Sequence, residues 1–379
     1  MFYELISILK DGVGPILNAI LPLAPIWVPL MFIVIWWDLW INYKRRLYIQ
    51  GQGSTLLEIK IPREMMKSPQ AVELFLNNIY HIGVGNLIKV YWEGSVRPWY
   101  SLEIVSMGGA VKFFIWMPKN YKNRVETQLY AQMPNVEVHE VPDYALGIHR
   151  NPEQYTFGWF GQFALTKDDV YPIKTYIDYG LADDPKEEFK HDPIVAFLEF
   201  MGSLKKGEQA WLQILIQGHT KEGLKLGRIF SRPDWQKAAE KEIKEIIKKN
   251  APKMGEGREP LLRDISTGHQ DVIKALERTT GKVAFDTMMR GTYFAEKEVF
   301  NPTNTGGFIG SIAQFGSPAL NGFKPGWTAG YDYPWQDFRG NKKARNERVA
   351  LEAYKRRSFF NPPFKNFRGR PFVLSTEEL

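Results

Sequence analysis

The hydrophobic pattern near the start of the chain has no period at all. Residues 21–43, LPLAPIWVPLMFIVIWWDLWINY, are apolar on every face, and no charge lies between Asp11 and Asp38. Such a run predicts one transmembrane helix. A bilayer core takes about 20 apolar residues in helical form, and other open backbone states leave polar groups unpaired in lipid. Trp27 marks one end. Trp36, Trp37, Trp40 and Tyr43 cluster at the other, where indole and phenol rings prefer the headgroup level. The prolines at 22, 25 and 29 fall in the first part, where a helix tolerates them best. Asp38 is the one misfit, placed beside the tryptophan belt near water. Lys44, Arg45 and Arg46 follow at once, and only Lys10 precedes. That asymmetry places the N-terminus outside and the bulk of the chain in the cytoplasm. A cleaved signal peptide fits poorly, because the run is too long, the basic cluster follows it and no Ala-x-Ala site appears. A buried core helix is rarely this apolar all round. In the tail, residues 1–20, Phe2, Leu5, Ile6, Leu9 and Val13 keep a 3–4 spacing. It reads either as an amphipathic helix on the outer leaflet or as a frayed end.

Beyond a flexible 51–54, the period switches to two and then alternates with helical spacing. TLLEIKI (55–61) reads as a strand. Ser68 and Pro69 open a helix to His81 with Val72, Phe75, Leu76 and Ile79 inward. LIKVYW (87–92) reads as a strand, and 99–106 with 111–117 as a hairpin about Gly108-Gly109. Residues 119–132 form a helix and VEVHEV (136–141) a last strand. The order β-α-β-β-α-β predicts an α+β, ferredoxin-like (split βαβ) domain over 55–142. After a Pro/Tyr/Gly-rich crossing to Gly161, 163–165 and 170–176 are expected to pair. A helix follows Asp192, then a strand at 210–217, a charged helix at 233–250 and a linker at 251–260. A helix at 269–279, a long strand at 282–296 and an apolar helix at 306–316 complete the pattern. This predicts a second, decorated ferredoxin-like domain over 162–316. Residues 317–379 are Pro/Gly/aromatic and then basic, and look least like a core.

The chain carries +7 net charge and no cysteine. Disulfides, thiolate catalysis and Cys-based zinc sites are therefore excluded. The basic balance suits an anionic lipid surface or nucleic acid without choosing between them. Thr280-Gly281-Lys282-Val283 lacks the first glycine and the hydroxyl of a P-loop. Residues 33–38 end an apolar stretch in an acid, as a Walker B strand does, but lie inside the span. Gly306-Gly307-Phe308-Ile309-Gly310 reads as a tight helix start. The six histidines (81, 139, 149, 191, 219, 269) form no metal-binding spacing, and no G-x-S-x-G elbow occurs. The acids Asp183, Asp184, Glu187 and Glu188 fall in a polar loop. No catalytic residue, metal site or cofactor is expected.

The sharpest functional signal is 339–370. There Lys342, Lys343, Arg345, Arg348, Lys355, Arg356, Arg357, Lys365, Arg368 and Arg370 interleave with Phe359, Phe360, Phe364 and Phe367. Such residues can track a phosphate backbone while rings stack on bases, or rest on anionic lipid. A solvated helix over a local core is the third reading.

Together the span, the stretch WYSLEIVSMGGAVKFFIWMPKNYKNRVETQLYAQMPNVEVHEV, the stretch DPIVAFLEFMGSLKKGEQAWLQILI and the closing FVLSTEEL carry a family likeness. The chain resembles an uncharacterised membrane-anchored domain that stands ahead of conjugation-type (type IV secretion) ATPases in small-genome bacteria. The resemblance implies a non-catalytic, homo-oligomeric assembly subunit at the cell membrane, docked to a motor ATPase. In such proteins the closing Thr376-Glu377-Glu378-Leu379 leads toward a motor domain with a P-loop. Here that motor would be a separate chain or a continuation of this one, so ATPase activity is not expected of these residues.

Overall fold

A computed structural model describes residues 21–62, 69–149, 154–181, 192–220, 235–250, 265–331 and 333–379. It is a mixed α+β structure, with an apolar N-terminal helix ahead of one large antiparallel sheet. Helix α1, Ala24–Gln52, follows a 3₁₀ turn at Leu21–Leu23. At ~1.5 Å per residue it is about 43 Å long, more than a bilayer core. The pattern alone ended this helix at Tyr43. It continues through Lys44-Arg45-Arg46 because nothing after Pro29 breaks it until Gly53, whose φ of 63° turns the chain into the sheet. Residues 51 and 52, expected to be a flexible link, are helical.

Among the described residues nine strands follow: β1 Ser54–Lys60, β2 Trp99–Met107, β3 Ala110–Pro118, β4 Glu137–Glu140, β5 Tyr155–Leu165, β6 Glu208–Gly218, β7 Ala284–Glu296, β8 Phe323–Thr328 and β9 Phe372–Ser375. Their order is β4-β1-β3-β2-β6-β7-β5-β8, every pair is antiparallel, and β9 pairs with the start of β7. The order is palindromic about the β2–β6 seam. The expected domains 55–142 and 162–316 therefore share one continuous sheet.

Strand alternation sorts the core into two faces. Leu57, Tyr100, Ile115 and Ile216 point to one side. There α2 (Gln70–Ile79) and α3 (Lys122–Gln132) bring Phe75, Leu76, Val125 and Leu129. On the same side of the second half, α4 (Pro193–Gly202) and α7 (Pro302–Ala313) pack Phe197, Met201 and Phe308 onto Leu212 and Tyr293. Helices α5 (Trp235–Asn250) and α6 (Thr267–Thr280) form a satellite core with Ala284 and Val373. The opposite face carries Trp99, Phe114, Trp211, Leu215 and Phe294, covered by α8 (Asn341–Lys355) and Phe359.

Several expectations change. Residues 87–92 are not a strand but a helical turn, with π-type bonding over Lys89–Glu93. Strand β5 begins inside the supposed crossing and pairs with β7 and β8, while 170–176 form no strand. The C-terminal 317–379 is part of the core, supplying β8, α8 and β9. Helix α2 starts after Pro69, and the Ser68 cap, the 183–188 acids, His191, the linker 251–260 and the tail 1–20 lie outside the described residues.

Candidate functional site

The predicted belt residues Trp27, Trp36, Trp37 and Tyr43 are all exposed, and Trp40 is half-buried. Trp36 stacks on Trp40 at 5.8 Å, and Lys44 Nζ lies 5.1 Å over the Trp40 ring. Asn42 Nδ2 donates to Asp38 Oδ2 at 3.1 Å, so the misfit acid has a local partner. Only one stripe of α1 is buried. Ile41 and Arg45 face the domain at i, i+4 spacing, with Ile49 one turn further on. Arg46 is exposed and Lys44 half-buried. Of the expected basic cluster, Arg45 is thus turned into the fold.

Beside α1 lies the helical turn 87–93. Tyr91 meets Trp37 at 5.6 Å and Trp92 meets Trp40 at 6.0 Å. Gly94 (φ 79°) closes the turn, and a Cβ there would fall 2.4 Å from the Lys44 carbonyl carbon. The backbone of the turn and that of α1 are therefore in direct contact. Where α1 meets the sheet, a cleft of about 670 Å³ opens between Arg46, Ile49, Trp99, Trp116, Arg356 and Phe364. Arg356 pairs with Glu352 across one helical turn at 3.7 Å.

The basic C-terminal residues divide by position. Lys342, Lys343, Arg345, Arg348, Arg356, Lys365, Arg368 and Arg370 are exposed, and Lys355 is half-buried. Arg357 is not at the surface at all: it is fully buried. The interleaved rings are also turned inward. Phe359 is in the core, and Phe360 and Phe367 pack against it. They are not free to stack on bases, because together with α8 they cover the apolar face of the sheet. Arg368 lies over Trp327 at 5.8 Å.

Arg357 forms the centre of a buried clamp. Its Nε and Nη2 donate to Glu103 Oε1 and Oε2 at 2.9 and 3.0 Å, and its Nη1 and Nη2 reach Asp143. Ser101 Oγ (2.6 Å), Gln213 Nε2 (2.7 Å) and Tyr144 Oη (2.8 Å) also donate to Glu103. Arg290 Nε donates to Gln213 Oε1 at 2.6 Å and Nη2 to the Ala353 carbonyl at 2.8 Å. Strand register explains the row, since Glu103 pairs with Gln213 and Gln213 with Arg290 across β2, β6 and β7. Burial opposes ionisation of Glu103, but the Arg357 charge and hydrogen bonds outweigh it and hold the carboxyl below its ordinary range. Burial lowers the Arg290 guanidinium, and it raises Tyr144 and Tyr354 well above theirs. The arrangement does the work of a fastener, tying α8 and its C-terminal extension across the seam. The sequence reading missed it. Its one legible signal was a charge in the middle of otherwise apolar strands, Glu103 in WYSLEIVSM and Arg290 in TMMRGTYF.

Among the described residues, no group of three or more His, Asp or Glu side chains is arranged to hold a metal ion. The fold and its interface define a mixed α+β domain with a docked helix long and apolar enough to cross a membrane. Residues 42–310 match the profile of a family described as a domain of unknown function (DUF8128), and the chain belongs to that family. The matched stretch begins in the docked part of α1 and ends within α7. No curated protein matches the chain.

Proposed function

We propose that this chain is a non-catalytic, single-pass membrane-anchored assembly subunit of a secretion or conjugation-type complex. In this reading α1 crosses the cell membrane with the N-terminus outside. The sheet domain lies in the cytoplasm, forms a homo-oligomer and docks a motor ATPase. The observation that carries the reading is α1 itself. Residues 30–39 of this apolar helix are exposed throughout, and so wide an apolar surface calls for lipid or a partner. The fold adds support at the level of topology. Strands β1–β4 with α2 and α3 have the 4-1-3-2 order of a ferredoxin-like split βαβ unit. Strands β5–β8 with α4 and α7 repeat that order in mirror sequence, with α5 and α6 as decoration. Many unrelated functions use this topology, so it accommodates an assembly role and selects neither a partner nor a cargo.

The test is the mass of the detergent-extracted native particle, with its co-purifying chains identified. A symmetric assembly that retains an ATPase is expected, and a lone monomer at native-like concentration overturns the reading. One observation favours a second reading, a membrane-tethered nucleic-acid-binding protein: α8 presents Lys342, Lys343, Arg345 and Arg348 outward while its other side seals the core. Reversing the charges of Arg345, Arg348 and Arg356 should then abolish a salt-sensitive gel shift, and unchanged binding rejects it. Arg357 is unsuited to that test because it is buried.

A further inference from the structure

We propose that the helical turn 87–93 is a second membrane contact, an apolar hook seated in the headgroup–acyl boundary beside α1. The proposal rests on the reading of α1 as the span. Asn86 Oδ1 accepts from Lys89 N at 2.9 Å and starts the turn. Val90, 2% exposed, anchors its inner side. Its open side carries a large apolar patch, with Leu87 53% exposed, Ile88 68% and Trp92 67%, flanked by the exposed charges of Lys89 and Glu93 as at a headgroup boundary. A soluble loop would not normally present an aliphatic pair and an indole together to water.

The position of this patch selects its occupant. Tyr91 and Trp92 touch Trp37 and Trp40, two of the three indoles that mark the end of the apolar run on α1. The exposed surface of the hook is therefore continuous with the exposed surface of the helix, at the level where a tryptophan belt meets headgroups. The hook is also held firmly there. Gly94 sits against the Lys44–Arg45 backbone, Ser95 N donates to the Lys89 carbonyl at 2.9 Å, and Ser95 Oγ reaches Tyr48 Oη at 3.5 Å. An apolar segment fixed at the end of a span lies in the membrane plane with its apolar side in lipid. Two contacts of this kind, one crossing and one interfacial, set the tilt of the sheet domain on the bilayer.

The chain has no cysteine, so a single one can be introduced without background labelling. Full-length Ile88→Cys, Ile33→Cys and Lys274→Cys carry an environment-sensitive fluorophore in vesicles of phosphatidylcholine and phosphatidylglycerol. Each is quenched in turn by iodide in the water and by spin-labelled lipid. Labels at 88 and 33 should show a blue shift, strong lipid quenching and loss of iodide quenching, while the label at 274 responds to iodide alone. If the label at 33 is in lipid and that at 88 responds to iodide, the hook is overturned and the span stands. If 88 is shielded from both quenchers, a protein surface covers the hook and the lipid assignment is wrong. If 33 itself is open to iodide, the span reading fails first.

Discussion

Arg357→Met tests the clamp most directly, because it removes the cation while keeping most of the volume. Glu103 is fully buried and would keep only three neutral donors, from Ser101, Tyr144 and Gln213. Asp143 also loses its cation, but its side chain is 19% exposed and can recover water. Stranding one partner of a buried pair costs about 3–5 kcal/mol, a large share of the ~5–15 kcal/mol that holds a domain folded. The pH dependence should also change sign. In the wild type the Glu103 carboxyl is held below its ordinary value of 4.5, so its contribution is present above that value and is lost as pH falls through the folded pKa. Without Arg357, burial raises the carboxyl instead, and stability falls as pH rises through the new folded pKa. The variant should therefore lose more against wild type at pH 8 than at pH 5. Urea unfolding of the full chain in micelles reads this through tryptophan fluorescence, since Trp99 Nε1 donates to the Arg357 carbonyl at 2.9 Å. Adding Glu103→Gln should recover at least about 1 kcal/mol of the loss, because no stranded charge remains. A loss below about 1 kcal/mol, or an equal loss at both pH values, refutes the reasoning.

Other outcomes follow from single contacts. Gly94→Ala puts a methyl 2.4–2.7 Å from the Lys44 and Arg45 backbone at positive φ, and should cost about 2–4 kcal/mol; an unchanged melting temperature would contradict the tight seat of the hook. Burial raises the Glu378 carboxyl from 4.5 to about 7, although it accepts from Ile173 N and Ser375 N. Its contribution is thus full below pH 4.5 and lost as pH rises through about 7, so Glu378→Gln should flatten that part of the melting-temperature profile between pH 5 and 8. Asp192 caps α4 by accepting from Ile194 N at 2.9 Å, and Asp192→Ala should cost about 1 kcal/mol in a thermal melt.

How legible was this in the sequence? The hairpin β2–β3 and the long strands β6 and β7 were, because they are runs rich in aliphatic and aromatic residues, too long and too apolar to be loops. The turn at 87–93 was not. Leu-Ile-Lys-Val-Tyr-Trp has strand propensity, and the partners that override it, Trp37 and Trp40, lie some fifty residues earlier. Strand β5 was hidden by its glycines. Gly161 pairs with Gly291, and a Cβ at 161 would meet the Trp159 ring at 2.5 Å and the Trp327 carbonyl at 2.9 Å, so what reads as a loop residue is a packing requirement. The C-terminal segment misled for a different reason. Nothing local separates Arg356, which is exposed, from Arg357, which is buried. The difference lies in Glu103 and Asp143, brought to the second arginine by the fold from more than two hundred residues away.

For the assembly we propose, the clamp also limits where a contact can fall. A sheet that packs helices on one face leaves the other as a natural place for a partner. In this chain the open face is taken by α8 and Phe359, fastened through Arg357 and Arg290 across the β2–β6 seam. The outer edges are poor alternatives. Strand β4 has four residues, and β8 carries Pro325, which has no N–H to offer a neighbouring strand. Docking through a free sheet face or by strand addition is therefore closed or weak. Outside α1 and the 87–93 turn, exposed apolar side chains include Leu146 and Val195 and a loop where Tyr333 stacks on Trp335 at 4.6 Å and Phe338 is 84% exposed, the most exposed large apolar side chain among the described residues. In the assembly we propose, a contact outside α1 has to draw on exposed side chains of this kind, because the sheet face is covered and the outer strands are short or carry proline.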